Sequence, residues 1–280
     1  MPARYVIGTD GVIAYAEVNP DYTRRPDPSE LLPVLDRLRA GVRTCAPSST
    51  QEKECLPMAI KIYGDPGSGS LRRVTSAAAI MGVDIERVYV DLFKGESHTP
   101  DFLKNLNPHG LTPVMVDGDV VLYEASAINI YLAEKVGSDL LGATPQERYE
   151  VLQWMFWSGE QWRVFSVLTF DERIGKRLMG QPQDKTIVDL AFAKIRAAGA
   201  VLDAHLADRR FIVGDHLTLA DLDIAAPFSQ NERTKVPFNE FPNLVAWQQR
   251  LLDTVPAWAA TKREVDERID GALGAASITL

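Results

Sequence analysis

Cysteine is almost absent from this chain: its 280 residues include Cys45 and Cys55 and no others. Two thiols are too few for a disulfide scaffold, and neither has the Cys or His neighbours of a zinc site. No run approaches the roughly 18 consecutive apolar residues of a membrane-spanning helix. The opening Met1-Pro2-Ala3-Arg4-Tyr5-Val6 lacks the apolar core of a secretory signal. Positive charge is in deficit, with 30 Lys and Arg against 38 Asp and Glu, a formal net charge of -8. That balance argues against a nucleic-acid surface as the main business of the protein. Neither an internal repeat of fixed period nor a low-complexity block is present. A cytoplasmic protein with reduced thiols is expected, with no metal, no membrane contact and no nucleic-acid partner.

The composition that remains is 46% hydrophobic and 24% charged, enough for one large core or two smaller ones. Residues 41–57 are polar, Ser/Thr-rich and non-periodic, which has the character of a linker. Ahead of it, Tyr5-Val6-Ile7 and Val12-Ile13-Ala14-Tyr15-Ala16 flank Asp10-Gly11, a hairpin pattern. Asp27 or Ser29 then caps a helix whose Leu31, Leu32, Leu35 and Leu38 recur at spacings of three and four. One hairpin and one helix cannot bury a stable core alone.

Beyond the linker the elements alternate. Ala59-Ile60-Lys61-Ile62-Tyr63 is a buried-strand pattern, and a turn dense in breakers follows it at 64–69. Leu71, Val74, Ala77, Ala78 and Met81 then share a helix face that Gly82 stops. Val88-Tyr89-Val90 completes a βαβ unit, whose two strands should be parallel. Pro113–Val116 and Val120–Tyr123 flank Asp117-Gly118-Asp119, a second hairpin, and a helix through Ala127–Leu132 closes the segment. The order βαβ then ββα is that of a thioredoxin-like domain. From about Pro145 only 3.6-period segments appear, near 146–179, 184–207, 218–229 and 242–266. The expected class is therefore α/β plus all-α. An extension and linker occupy 1–57, a thioredoxin-like domain 58–138 and an all-helical domain 145–270.

The turn Asp65-Pro66-Gly67-Ser68-Gly69-Ser70 joins a strand to a helix start. A hydroxyl there is most simply an N-cap. It also places a donor beside the positive end of a helix, where a thiolate would be stabilised. The neighbouring motifs bear on the choice. Gly64-Asp65-Pro66-Gly67-Ser68 leads into Arg72-Arg73-Val74, and Gly95-Glu96-Ser97-His98 follows. Asn107-Pro108-His109-Gly110-Leu111-Thr112-Pro113, Glu124-Ala125-Ser126, Leu217-Thr218-Leu219-Ala220-Asp221 and Phe241-Pro242-Asn243-Leu244-Val245-Ala246-Trp247 complete the series. In this order and spacing, residues of about 58–265 resemble the serine-type cytosolic glutathione transferases, most of all the plant phi class.

The resemblance implies a catalytic Ser68 that stabilises the thiolate of glutathione, a co-substrate rather than a bound cofactor. Glu124 would meet the γ-glutamyl amine, and Ala125 and Ser126 the γ-glutamyl carboxylate at a helix N-terminus. Thr112, before a cis Pro113, would pair its backbone with the cysteinyl unit, with Leu111 beside it. Ser97 and His98 would lie at the glycine end. Three positions depart from the family pattern: Ser97 replaces a His, Leu111 a Gln and Ala125 a Ser. Glu124 as a simple cap and His98 as a solvated loop residue are the plainer readings of those side chains. The implied activity is conjugation of glutathione to apolar electrophiles, with glutathione-dependent peroxidase activity beside it, in a detoxifying homodimer. A non-catalytic binding or structural protein on the same fold is the alternative, which Leu111 and Ala125 favour.

Trp154, Phe156, Trp157, Trp162 and Phe165 are spaced as core residues, but some are expected to line the electrophile pocket. Residues 4–40 resemble the final hairpin and helix of alkyl-hydroperoxide-reductase-type peroxiredoxins, without that family's peroxidatic cysteine motif.

Overall fold

The computed structural model describes Ala3–Ile7, Ile13–Val18 and residues 59–278. The chain divides into two compact units, Met1–Cys55 and Leu56–Leu280. In the first, strands β1 (Ala3–Ile7) and β2 (Ile13–Val18) pair antiparallel, with a register shift between Val6 and Ile7. The hairpin expected there is present. Its turn, the helix expected from Asp27 or Ser29, and the linker at 41–57 lie outside the described residues.

The second unit begins with a sheet of four strands: β3 (Ile60–Gly64), β4 (Ile85–Tyr89), β5 (Val114–Asp117) and β6 (Val120–Tyr123). Their order is β4-β3-β5-β6, with β3 and β4 parallel and the other neighbours antiparallel. Alternation along β3 sends Ile60 and Ile62 to one face, where Leu71, Val74 and Ala78 of α1 (Gly69–Met81) meet Ile128 and Leu132 of α3 (Ala125–Val136). On the other side Tyr63 packs with Val90, Val114 and Phe102, which belongs to α2 (Pro100–Asn105). Gly82 ends α1 at φ 67°, a left-handed conformation that costs an ordinary side chain dearly. This is the thioredoxin-like arrangement.

A long helical run follows: α4 (Pro145–Trp157), α5 (Val164–Phe170) and α6 (Lys176–Leu178), joined through wide π-type turns at Ser158–Arg163 and Asp171–Gly175. The rest comprises α7 (Lys185–His205), α8 (Leu219–Ala225), α9 (Asn231–Thr234), α10 (Pro242–Thr254) and α11 (Pro256–Ala275). Thr218 and Asp221 form the capping box expected at the head of α8. The segment expected as one helix over 242–266 is two, because Pro256 lacks the N–H to continue α10 and starts α11 instead. Trp162, Trp247 and Trp258 are wholly buried in the helical core. Among the described residues no helix is long and apolar enough to cross a membrane.

The two layers are joined by polar groups as well as apolar ones. Arg72, at 1% exposure, donates from Nε to Thr261 Oγ1 at 3.3 Å, from Nη1 to Ser229 Oγ at 2.9 Å and from Nη2 to the Trp258 carbonyl at 2.7 Å. Its guanidinium also lies 3.5 Å from the Trp258 ring centre. A charge removed from water this completely is tolerable because each of these contacts is directed at oxygen or a ring face.

Candidate active site

A cleft of about 860 Å³ opens between the sheet domain and the helices. Its polar wall is built from segment ends. The β3–α1 turn contributes Ser68, which occupies the N-cap position with its Oγ accepting from the Leu71 N–H at 3.3 Å. A hydroxyl that accepts through its oxygen still has its hydrogen to donate. The N-cap role and the donor role are therefore compatible in one side chain. Ser70 stands on the same rim.

Leu111, Thr112 and Pro113 line the same cleft. The Thr112–Pro113 peptide is cis, as expected. Asn107 braces this corner, donating from Nδ2 to the Leu111 carbonyl at 2.9 Å while its Oδ1 accepts from the His109 N–H at 3.0 Å. Leu111 is exposed, and the Thr112 Oγ1 is buried with no partner among the described residues.

The third segment is the head of α3. Glu124 sits there at φ 70°, a left-handed conformation unusual for a side chain larger than Gly and one that clusters at functional sites. Glu124 occupies the N-cap position of α3 without a side-chain capping hydrogen bond. Ala125 is buried and lines the cleft beside it. Ser126 does not line it. The Ser126 hydroxyl donates to Asp223 Oδ2 at 2.9 Å and accepts from Arg73 Nη1 at 3.1 Å. Asp223 also pairs with Arg73 at 2.6 Å and with Arg163 at 2.5 Å. Burial pulls the Arg73 guanidinium down to about 10, with the Asp223 carboxylate opposing that shift.

Ser97 and His98 also lie outside the cleft wall. Ser97 is buried with its hydroxyl 3.1 Å from His98 Nδ1, and the exposed His98 ring covers Gly110, where an added Cβ would come within 2.9 Å of it. Lys94 does line the cleft.

The apolar wall differs from the expected one. None of Trp154, Phe156, Trp157, Trp162 or Phe165 lines the cleft. Trp162 is sealed, donating its indole N–H to the Ile224 carbonyl at 2.9 Å, and Trp154, Trp157 and Phe165 pack on the helical core. The cleft is faced instead by Val167 and Phe170 of α5, Leu178 and Met179, and by Ile269 and Ala272 of α11. Val167 and Phe170 are spaced by three, so the stripe was present in the sequence one helical face away from the tryptophans.

The architecture is thus a thioredoxin-like domain carrying a hydroxyl and two helix heads, closed by a helical domain with an apolar wall. Residues 58–134 match the family model "Glutathione S-transferase, N-terminal domain" and residues 166–253 the model "Glutathione S-transferase, C-terminal domain". Glutathione S-transferase F14 of Arabidopsis thaliana is 33% identical over 188 residues, covering 64% of this chain and 74% of that protein. Among solved structures, glutathione transferase F7 of Populus trichocarpa superposes with a TM-score of 0.68 at 27% identity, over 74% of this chain and 99% of its own. Maize glutathione S-transferase I in complex with an atrazine glutathione conjugate gives 0.66 at 26% identity, over 74% and 98%. The chain belongs to the glutathione S-transferase family, and its relatives are of the plant phi class. The matches begin at residue 58 and lend nothing to the resemblance of residues 4–40 to a peroxiredoxin.

Proposed function

We propose that this protein is a cytoplasmic, homodimeric glutathione transferase that joins glutathione to apolar electrophiles for detoxification, with Ser68 stabilising the thiolate. The observation that supports it best is convergence. The Ser68 hydroxyl, the Thr112–Pro113 corner and the head of α3 all open onto one cleft, and the remaining wall of that cleft is apolar. Glutathione has a polar backbone and one soft nucleophile, and this division suits it.

In this reading the γ-glutamyl carboxylate meets the N–H groups at the head of α3, from Ala125 and Ser126, and Glu124 takes the amine. The Ser126 hydroxyl, held by Asp223, steadies that helix end rather than reaching the ligand. Thr112 offers its backbone to the cysteinyl unit, beside Leu111 and Pro113. At the glycine end Lys94, on the cleft wall, is better placed than Ser97 and His98. The sulfur then lies at Ser68 and the first N–H groups of α1.

A free thiol ionises near pH 8.5. Lowering that by about two units takes roughly 2.7 kcal/mol of preference for the thiolate, within reach of one charge-assisted hydrogen bond and a helix terminus. The thiolate attacks the electrophilic carbon, a C–S bond forms, and the leaving group departs with the electron pair of the bond it breaks. The thiol proton passes to solvent.

Conjugation of glutathione to 1-chloro-2,4-dinitrobenzene tests the proposal, with retention on immobilised glutathione as the binding control. Ser68→Ala should fold and lose about ten- to a hundredfold in rate, the loss of one donor to developing charge. No turnover in the wild type would leave the non-catalytic alternative standing. Full activity in the variant would move the role to Ser70. A monomer in sedimentation at micromolar concentration would remove the homodimer.

A further inference from the structure

Arg268 lies in α11, beyond the C-terminal family match, and belongs to none of the motifs above. Its Nε stands 3.0 and 3.2 Å from the two Asp65 carboxylate oxygens. Its Nη2 donates to Asp65 Oδ2 at 2.9 Å and to Asp91 Oδ1 at 2.8 Å. Asp65 opens the turn that presents Ser68, and it shapes that turn twice over. Its Oδ1 accepts from the Gly67 N–H at 2.9 Å, and its backbone carbonyl accepts from the Ser68 N–H at 2.9 Å. Asp65 Oδ2 further accepts from the Leu92 N–H at 3.3 Å. One guanidinium from the far end of the chain therefore fastens the carboxylate around which the turn is folded.

Charge makes the contact more than a brace. Asp65 is 2% exposed and Asp91 6%, so neither carboxylate is well screened by water. An unbalanced negative charge beside the turn would oppose ionisation of a thiol there. Arg73 of α1 and Arg163 of the long helical run are both engaged by Asp223. Lys94 pairs with Asp91 at 3.2 Å from an exposed position. Glu124 and Asp171, the other ionisable groups on the cleft wall, are acidic. Among the described residues, the cation bonded to Asp65 is Arg268.

We propose that Arg268 is a positioning residue for the transferase reaction. It holds the Asp65 turn in the shape that presents Ser68, and it offsets the Asp65 charge, with Lys94 facing Asp91, so that the co-substrate thiol ionises near neutral pH. The inference rests on the Ser68 reading above and is separable from it.

The test is a pH titration of glutathione bound at saturation, followed by thiolate ultraviolet absorbance, with steady-state kinetics alongside. Arg268→Met should raise the pH of half-ionisation by about one unit, a tenfold change in thiolate fraction at lower pH. The rate constant kcat should fall about tenfold at pH 6.5 and much less at pH 8.5, with KM for the electrophile little changed. Arg268→Lys, which keeps the charge without the fork, should recover part of the loss. Adding Asp65→Asn to Arg268→Met removes the stranded charge while keeping an acceptor for the Gly67 N–H, and should return the thiol toward its wild-type ionisation. A loss equal at all pH values and untouched by Asp65→Asn would mean that Arg268 only packs the helix, and would overturn the proposal. If Arg268→Met does not fold, Asp65→Asn alone decides: earlier ionisation of the thiol supports the proposal, and unchanged or later ionisation overturns it. Ser68→Ala in the same titration separates the two readings. An effect there with none at Arg268 leaves Ser68 standing and removes Arg268, whereas no effect of Ser68→Ala removes the Ser68 reading itself.

Discussion

Arg73 Nη1 and Asp223 Oδ2 meet at 2.6 Å across the boundary between the sheet domain and the helices, with side chains 2% and 1% exposed. Arg73 is on α1, one turn from Ser68, and Asp223 is on α8. The pair ties the helix that carries the proposed catalytic turn to the core of the other layer. Asp223→Ala should destabilise the protein by about 3–5 kcal/mol, because Arg73 would be left charged out of water with no carboxylate and the Ser126 hydroxyl as its remaining acceptor. Urea unfolding measures this, and a change below about 1 kcal/mol would show that water or a neighbour replaces the carboxylate.

Asp221 gives a pH dependence of known sign. It is wholly buried and accepts from the Ile212 N–H, the Thr218 N–H and hydroxyl, and the Trp247 indole. Burial pushes its carboxyl up from 3.8 to about 6, with those four donors pulling the other way. The folded chain therefore holds a proton between about pH 4 and 6 that the unfolded chain releases. Stability from this group is full below about pH 3.8 and falls as the pH rises to about 6. Asp221→Asn, which cannot titrate, should be less stable throughout. The gap to wild type should narrow by up to about 3 kcal/mol across that window, as read by urea unfolding at stepped pH.

Ala272 faces the cleft from α11. Ala272→Phe should fill part of the apolar wall, raising KM for a bulky electrophile about tenfold while leaving KM for glutathione within twofold. An equal rise in both would place the electrophile elsewhere in the cleft.

A chain beginning at Met58 should keep its fold and its conjugating activity within about twofold, since the family matches start there and the cleft is built from residues beyond it. Thermal unfolding and the chlorodinitrobenzene rate check this, and loss of soluble protein would show that residues 1–57 support the rest.

The parts of this molecule that were legible in its sequence are those with a local signature. Gly82 ends α1 where periodicity put the stop, the hairpin around Gly118 forms, and Thr218 with Asp221 caps α8 as their spacing required. The turn holding Ser68 and the corner at Pro113 fall in the same class. What was not legible depends on partners far apart in the chain. Periodicity shows that Trp162 belongs to a buried face, but the face looks toward Ile224 rather than the cleft. Ser126 sits where a ligand contact was expected, and Asp223, 97 residues away, takes its hydroxyl. Arg268 stands 203 residues from Asp65, and no local pattern announces such a pair. The break at Pro256 did have a local sign, since a proline within a helical stretch marks a start as readily as an interruption.

The wide turns at Ser158–Arg163 and Asp171–Gly175 bear on how the apolar wall can vary in length. Removing one residue from an ordinary α-helix swings everything after it by about 100°, which would carry Val167 and Phe170 off the cleft. A π-type turn is a place where a helix has already taken in an extra residue without that rotation. One residue lost from either turn lets the backbone tighten to the regular pitch with both flanking faces still in phase. The helical run thus has slack at two points beside the cleft. Its wall can be shortened by single residues within a helix, a kind of change that most proteins confine to their loops.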